Sequence, residues 1–192
     1  MKLLNSHFDE HIEVSINTRD FVARDLAAAC KILETTLRNG CKILVAGNGG
    51  SASDASHFCA ELVCAYENRN RVGIPAVCLC SDSALITAIS NDMSYEKVFS
   101  RQISALYQRG DAVILISTSG SSKNILDALN YCFTHNIPIV LLTSIRYKAT
   151  FMPNPTSVCV SVPSTRTSLI QEMHITILHI IADFLEHLVP HR

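Results

Sequence analysis

Short apolar runs alternate with amphipathic stretches along most of the chain. Leu4, Phe8, Ile12 and Ile16 recur every four positions, and Phe21, Ala28, Ile32, Leu33 and Leu37 form a second stripe. Residues 3–38 are therefore expected to make two helices, stopped by Asn39-Gly40. Lys42–Ala46 is a continuous apolar run of the kind a parallel strand shows when both faces are covered. A Gly/Ser turn follows, 47–54, and then a helical pattern over Ala55–Tyr66. Beyond a polar loop, Glu67–Pro75, the pattern predicts strands at Ala76–Cys80, Ala112–Ile116, Ile137–Leu142 and Ser157–Val162. Helices are expected at Asp82–Ser90, Tyr95–Tyr107, Ser122–Phe133 and about Ser168–His187. Ser51-x-x-Asp54 and Ser168-x-x-Gln171 have the spacing of capping boxes.

Strands alternating with helices imply an α/β fold, a parallel sheet sandwiched between two helical layers. Right-handed crossovers favour the five-stranded order 2-1-3-4-5, as in flavodoxin-like folds. In that order the first and third strands are neighbours. Each ends in a small-residue turn leading into a helix: Gly47-Asn48-Gly49-Gly50-Ser51 and Ser117-Thr118-Ser119-Gly120-Ser121-Ser122. Two such turns facing each other across the switch point are a place for an anion.

Composition narrows the picture. The 192 residues fit one domain, with no repeat or linker. Charged residues make up only 17% against 48% hydrophobic, which suggests surface buried between subunits. A net charge of −1 argues against a nucleic-acid partner. The eight cysteines include no C-x-x-C pair and no signal peptide precedes them, so they are expected to be reduced core residues of a cytoplasmic protein. No uninterrupted apolar stretch is long enough to predict a membrane span.

The serine-rich turn offers hydroxyls and a helix N-terminus, which suit a phosphate, although a plain strand-to-helix turn has the same look. The glycine turn lacks the third glycine of a dinucleotide fingerprint and the lysine of a nucleotide-triphosphate loop. His57 and Glu61, at i and i+4, share a helix face. They read either as a surface pair or as a base beside a metal ligand or orienting group. His179 lies in an apolar stretch, where a core histidine is the simpler reading; Gln171 and Glu172 lie about two turns before it. His174 reads as structural.

Taken together, Gly47-Asn48-Gly49-Gly50-Ser51, His57-x3-Glu61, Asn91-Asp92, Phe99-Ser100-Arg101-Gln102, Ser117-Thr118-Ser119-Gly120-x-Ser122 and Ile170-Gln171-Glu172-x-His174-x4-His179 resemble the phosphoheptose isomerases of the sugar isomerase (SIS) fold. The match runs in register through most of the chain. The resemblance implies a single SIS domain over 1–192, residues 1–40 serving oligomerisation, in a cytoplasmic homotetramer with active sites at subunit interfaces. It implies conversion of sedoheptulose 7-phosphate to D-glycero-D-manno-heptose 7-phosphate, the first step toward ADP-heptose and lipopolysaccharide. By position, Glu61 would be the base and His179 the acid. His57, Glu61, Gln171 and His179 would hold one zinc per subunit. Asn48, Gly49, Gly50, Ser51, Glu61, Asn91, Asp92, Ser117, Thr118, Ser119, Ser122 and Gln171 would bind substrate. Three departures stand out: Ala65 and Leu169 occupy positions where the family usually has arginine, and Ser144–Lys148 replaces a glycine-bearing segment. Arg146 and Arg166 are the candidates to supply the missing charge. Two other readings are a non-catalytic SIS module like the replication-initiator-associating relative, and an isomerase of another phosphosugar.

Overall fold

The computed structural model describes residues 2–147 and 156–190. Lys148 and the side chain of Leu4 lie outside the described residues. Five parallel strands, β1 (Ile43–Gly47), β2 (Ala76–Cys78), β3 (Ala112–Ile116), β4 (Ile139–Ser144) and β5 (Ser157–Val162), form one sheet in the order β2-β1-β3-β4-β5. That is the expected α/β architecture and order. The helices are α1 (Lys2–Arg38), α2 (Gly50–Val63), α3 (Ser83–Asp92), α4 (Val98–Leu106), α5 (Lys123–Thr134) and α6 (Thr167–Glu186), with a 3-10 turn over Tyr95–Lys97.

Strand alternation splits the core in two. Ile43 and Val45 of β1 face α1, α2 and α6 with Phe58, Leu62, Ile170, Ile177 and Leu178. Leu44 and Ala46 face α3, α4 and α5 with Ile89, Phe99, Ile103 and Ile125. Both faces are covered, which is why the strands read as unbroken apolar runs.

Three expectations need correcting. First, the N-terminal segment is one helix rather than two. No glycine or proline interrupts residues 17–20, so nothing breaks the helix there. Its buried face runs through Val22, Ala29, Cys30 and Leu33, while Phe21 and Ala28 of the expected second stripe point outward. The first stripe is exposed too, with Phe8 69%, Ile12 56% and Ile16 50% accessible. Second, neither capping box forms. The N-caps are Gly49 for α2 and Arg166 for α6, neither with a side-chain capping bond. Third, only Cys30, Cys59 and Cys132 of the eight unpaired cysteines are buried, and Cys64 is exposed. By length and composition α6 would reach across a membrane, but it packs on α1, α2, β4 and β5 as a core helix. The Asn39-Gly40 stop does hold: Gly40 sits at φ 70 and Cys41 N–H donates back to Thr36 C=O at 3.1 Å.

Candidate active site

Gly47 at the end of β1 is paired in register with Ile116 at the end of β3. The glycine turn and the serine turn are therefore side by side at the carboxyl edge of the sheet, where open α/β sheets bind ligands.

The serine turn is folded on its own hydroxyls. Ser117 Oγ accepts from Gly120 N–H at 3.1 Å, and Ser119 Oγ accepts from Ser121 N–H at 3.2 Å. Ser144, fully buried at the end of β4, donates to Thr118 C=O at 2.7 Å and pins the turn from below. Gly120 is left-handed at φ 65, and the Tyr147 ring lies against its Cα. A side chain there would be strained and would collide with the ring. Ser122 is the N-cap of α5 but makes no side-chain capping bond; its Oγ lies 3.5 Å from Ser117 Oγ. The result is a cup of hydroxyls at a helix N-terminus.

The two turns are joined by a reciprocal amide pair. Asn48 Nδ2 donates to Asn124 Oδ1 at 2.8 Å, Asn124 Nδ2 returns a bond to Asn48 Oδ1 at 2.9 Å, and Tyr95 Oη donates to the same oxygen at 2.9 Å. Asn124 and Tyr95 were not legible as site residues, because only the tertiary fold brings them to Asn48. Asn91 and Asp92 are exposed at the end of α3, where Asn91 Nδ2 donates to Asp92 Oδ1 at 2.8 Å.

The second half of the site lies along α2 and α6. His57 Nε2 and His179 Nε2 lie 3.1 and 3.3 Å from the same atom, Glu61 Oε1. The two imidazoles meet edge to face at 5.3 Å, and the Tyr66 ring stands 5.7 Å from His179. The simpler core reading of His179 is overturned, since its side chain is 36% exposed and faces Glu61. Glu61 Oε2 is buried without a partner, and so is Asp54 Oδ2 two turns earlier on the same face. Burial pushes the Asp54 carboxyl up, against the opposing pull of His57 and His179. Gln171, on α6, lays its amide against the first turn of α2: a Cβ built on Gly50 would lie 2.4 Å from Gln171 Nε2.

His174 is structural as expected. It is fully buried, its Nε2 is 2.9 Å from Thr143 C=O, and burial lowers its pKa to about 4. Leu169 is a core residue, 3% exposed. Arg166 is occupied by Glu10 and by His7 Nδ1, and Arg146 reaches Thr167 Oγ1 at 3.4 Å. Neither guanidinium is directed to the cup by these contacts.

The three donor atoms of His57, Glu61 and His179 all lie within 4.8 Å of one another. Ligands about 2.0–2.2 Å from a tetrahedral ion sit roughly 3.3–3.6 Å apart, and the two His–Glu separations, 3.1 and 3.3 Å, come close to what a small divalent cation of the zinc type needs. The unpartnered Glu61 Oε2 adds a second reason to expect a ligand there.

Residues 7–144 match the family model described as "SIS domain". The phosphoheptose isomerase of Shewanella halifaxensis is 39% identical over 188 residues, covering 97% of this chain and 95% of the relative. The chain belongs to the phosphoheptose isomerase family. A solved phosphoheptose isomerase from Francisella tularensis shares the fold at a TM-score of 0.91 with 33% identity, covering 97% of each chain. The one from Neisseria gonorrhoeae superposes at 0.87 with 35% identity, covering 95% of this chain and 96% of that one. Family membership agrees with the convergence of Glu61 and His179 from helices more than a hundred residues apart.

Proposed function

We propose that this protein is a ketose–aldose isomerase converting sedoheptulose 7-phosphate to D-glycero-D-manno-heptose 7-phosphate. The observation that carries the reading is the meeting of Glu61 and His179, in a chain of this family whose two small-residue turns lie side by side at the carboxyl edge of the sheet. The reaction moves one proton from C1 to C2 through an enediol. Glu61 takes the C1 proton; its Oε2 is without a hydrogen-bond partner, which supports giving that role to this carboxylate. His179 donates to the C2 oxygen as electron density moves onto it, and takes the O1 proton back as the aldehyde forms. Glu61 then returns its proton to C2, so the enzyme ends as it began. Ser51, Ser117, Thr118, Ser119 and Ser122 receive the phosphate, and Asn48, Gly49, Gly50, Asn91, Asp92 and Gln171 bind the rest of the sugar. Holding the phosphate far from C1 and C2 contributes orientation rather than chemistry.

His57, Glu61 and His179, with Gln171, would hold one zinc per subunit. Bound there, the metal would polarise the sugar's carbonyl oxygen in place of the His179 proton, since a nitrogen that ligates the metal has no proton to give. We further propose a cytoplasmic homotetramer, a single domain whose α1 serves assembly, and a product feeding ADP-heptose and lipopolysaccharide synthesis. The outward apolar stripe of α1 supports the assembly. Retention of Glu61 and His179 together favours an enzyme over a partner-binding module.

The test is turnover of sedoheptulose 7-phosphate by purified protein, with and without zinc and a chelator, reading the aldose directly. Glu61→Gln and His179→Ala should each lower kcat at least 10³-fold while the tetramer persists. Wild-type turnover in either variant would refute the acid–base assignment.

A further inference from the structure

Glu186 stands where a carboxylate is locally unfavourable. It is the last residue of α6, at the negative end of the helix dipole, and only 6% exposed. Its neighbours explain why it is tolerated. Arg71, itself 2% exposed, donates from Nε to Glu186 Oε2 at 2.7 Å. The backbone N–H groups of Tyr66, Glu67 and Asn68 donate to the same carboxylate at 3.1, 3.0 and 2.8 Å. Burial alone would raise the Glu186 pKa; Arg71 and the three amides together outweigh it and bring it to about 2.

Arg71 also reaches the other helix of the site. Its Nη2 donates to the backbone C=O of Glu61, and its Nη1 to Val72 C=O at 2.9 Å. Glu61 lies in the last turn of α2, where helix carbonyls have no partner within the helix. The guanidinium satisfies one of them and suits the dipole of that terminus. On α6, Glu186 is seven residues, two turns, beyond His179 and on the same face. The chain between the two anchors includes Tyr66, whose amide is held by Glu186 and whose ring stands beside His179.

We propose that Arg71 and Glu186 are positioning residues for the isomerisation, a buried clamp that fixes Glu61 on α2 against His179 on α6. The clamp touches neither substrate nor metal. It acts through one backbone carbonyl, one helix terminus and the Tyr66 loop. The proposal rests on the assignment of Glu61 and His179 as base and acid.

The experiment compares Arg71→Lys, Glu186→Gln and the apolar double variant Arg71→Met/Glu186→Met with the wild type. Kinetics are measured on sedoheptulose 7-phosphate well below each variant's Tm. One ammonium cannot donate to both Glu186 and the Glu61 carbonyl in the geometry of the guanidinium fork. Arg71→Lys should therefore lower kcat about tenfold and leave KM within twofold, because the phosphate cup lies on other elements. The double variant removes the buried charges together and should recover much of the Tm lost by the single changes, without recovering kcat. Recovery of kcat in step with Tm would overturn the proposal by reducing the pair to packing, and wild-type kcat in a folded Arg71→Lys would do the same. Glu61→Gln run alongside separates the two layers. Loss of turnover there with full activity in Arg71→Lys defeats the clamp alone, whereas full turnover in Glu61→Gln defeats the acid–base assignment beneath it.

Discussion

Replacing Gly50 by alanine should separate stability from function. Gly50 opens α2 and does not occupy the left-handed region, so its backbone suits alanine. Alanine in place of glycine in a helix favours folding by up to about 1 kcal/mol. The added methyl, however, would lie 2.4 Å from Gln171 Nε2, 3.0 Å from Cδ and 3.3 Å from Oε1. Ordinary contact needs roughly 3.4 Å or more, so the amide must retreat by about 1 Å. It is the far end of a flexible side chain, and moving it costs the fold little. For a group meant to hold substrate or metal, a displacement of about 1 Å can cost around 10²-fold in rate.

Gly50→Ala should therefore keep its Tm within a few degrees of wild type while kcat/KM falls by one to two orders of magnitude. The decisive comparison is a double-mutant cycle with Gln171→Ala. If the methyl acts only by displacing the amide, Gly50→Ala is nearly silent once the amide is gone, and the double variant resembles Gln171→Ala alone. Additive losses would refute the reasoning, as would a fully active Gly50→Ala.

At Gly120 the same substitution should behave differently: φ 65 adds about 1–2 kcal/mol of left-handed strain, and the new Cβ would sit 2.2 Å from Tyr147 Cδ2. Chemical denaturation should show clear destabilisation, with Tyr147→Ala relieving the collision but not the strain. Acid should unfold the protein in two stages. His174 is held down to about 4 from its ordinary 6.5, so the unfolded chain binds its proton first and stability falls between those values as pH drops. Glu186, brought to about 2 from 4.5, contributes stability above 4.5 that is lost on the way to 2. In His174→Gln, equilibrium unfolding measured against pH should lack the first stage. Finally, Phe8→Asp with Ile12→Asp, both on the exposed stripe of α1, should lower the mass seen by light scattering while leaving helix content intact.

What could be read from residue order alone follows from how local each feature is. The three central strands were legible because burial on both faces makes a strand apolar throughout, and the edge strand Ser157–Val162, whose Val positions alternate with Ser and Cys, matches its expected limits. The two turns were legible because runs of small residues between an apolar strand and a helix mark a tight strand-to-helix connection. The phase of α1 was not, because apolar periodicity marks a face without saying what covers it. Val22 and Leu33 meet the core, while Phe8 and Ile12, on a pattern just as regular, do not. His57 and Glu61 announced themselves by spacing. His179 entered through family resemblance, since an imidazole among isoleucines carries no local sign of its partner. Arg71 sits in a polar loop and Glu186 near a helix end, both usual places for surface charge, and their mutual burial is a product of the tertiary fold.

Among the described residues, the contacts of Arg146 and Arg166 direct neither guanidinium to the cup proposed for phosphate, and α2 makes that workable. Ala65 and Leu169 stand where the family resemblance led to an expectation of arginine, Leu169 is a core residue, and Arg166 is held by Glu10 and His7. What remains at the cup is the α5 N-terminus and a set of hydroxyls that already bond to the turn's own amides. Such a cup accepts a dianion by exchanging internal hydrogen bonds for ligand bonds, so its contribution is orientation more than attraction. Orientation suffices if the acid–base pair is fixed relative to the cup, and one helix provides that link. The first turn of α2 leaves the glycine turn that Asn48 ties to Asn124 of α5, its middle carries His57, and its last turn carries Glu61, whose carbonyl is held by Arg71. A change in α2 beyond its first turn, away from Gly50 and Ser51, should therefore appear in kcat before it appears in substrate affinity.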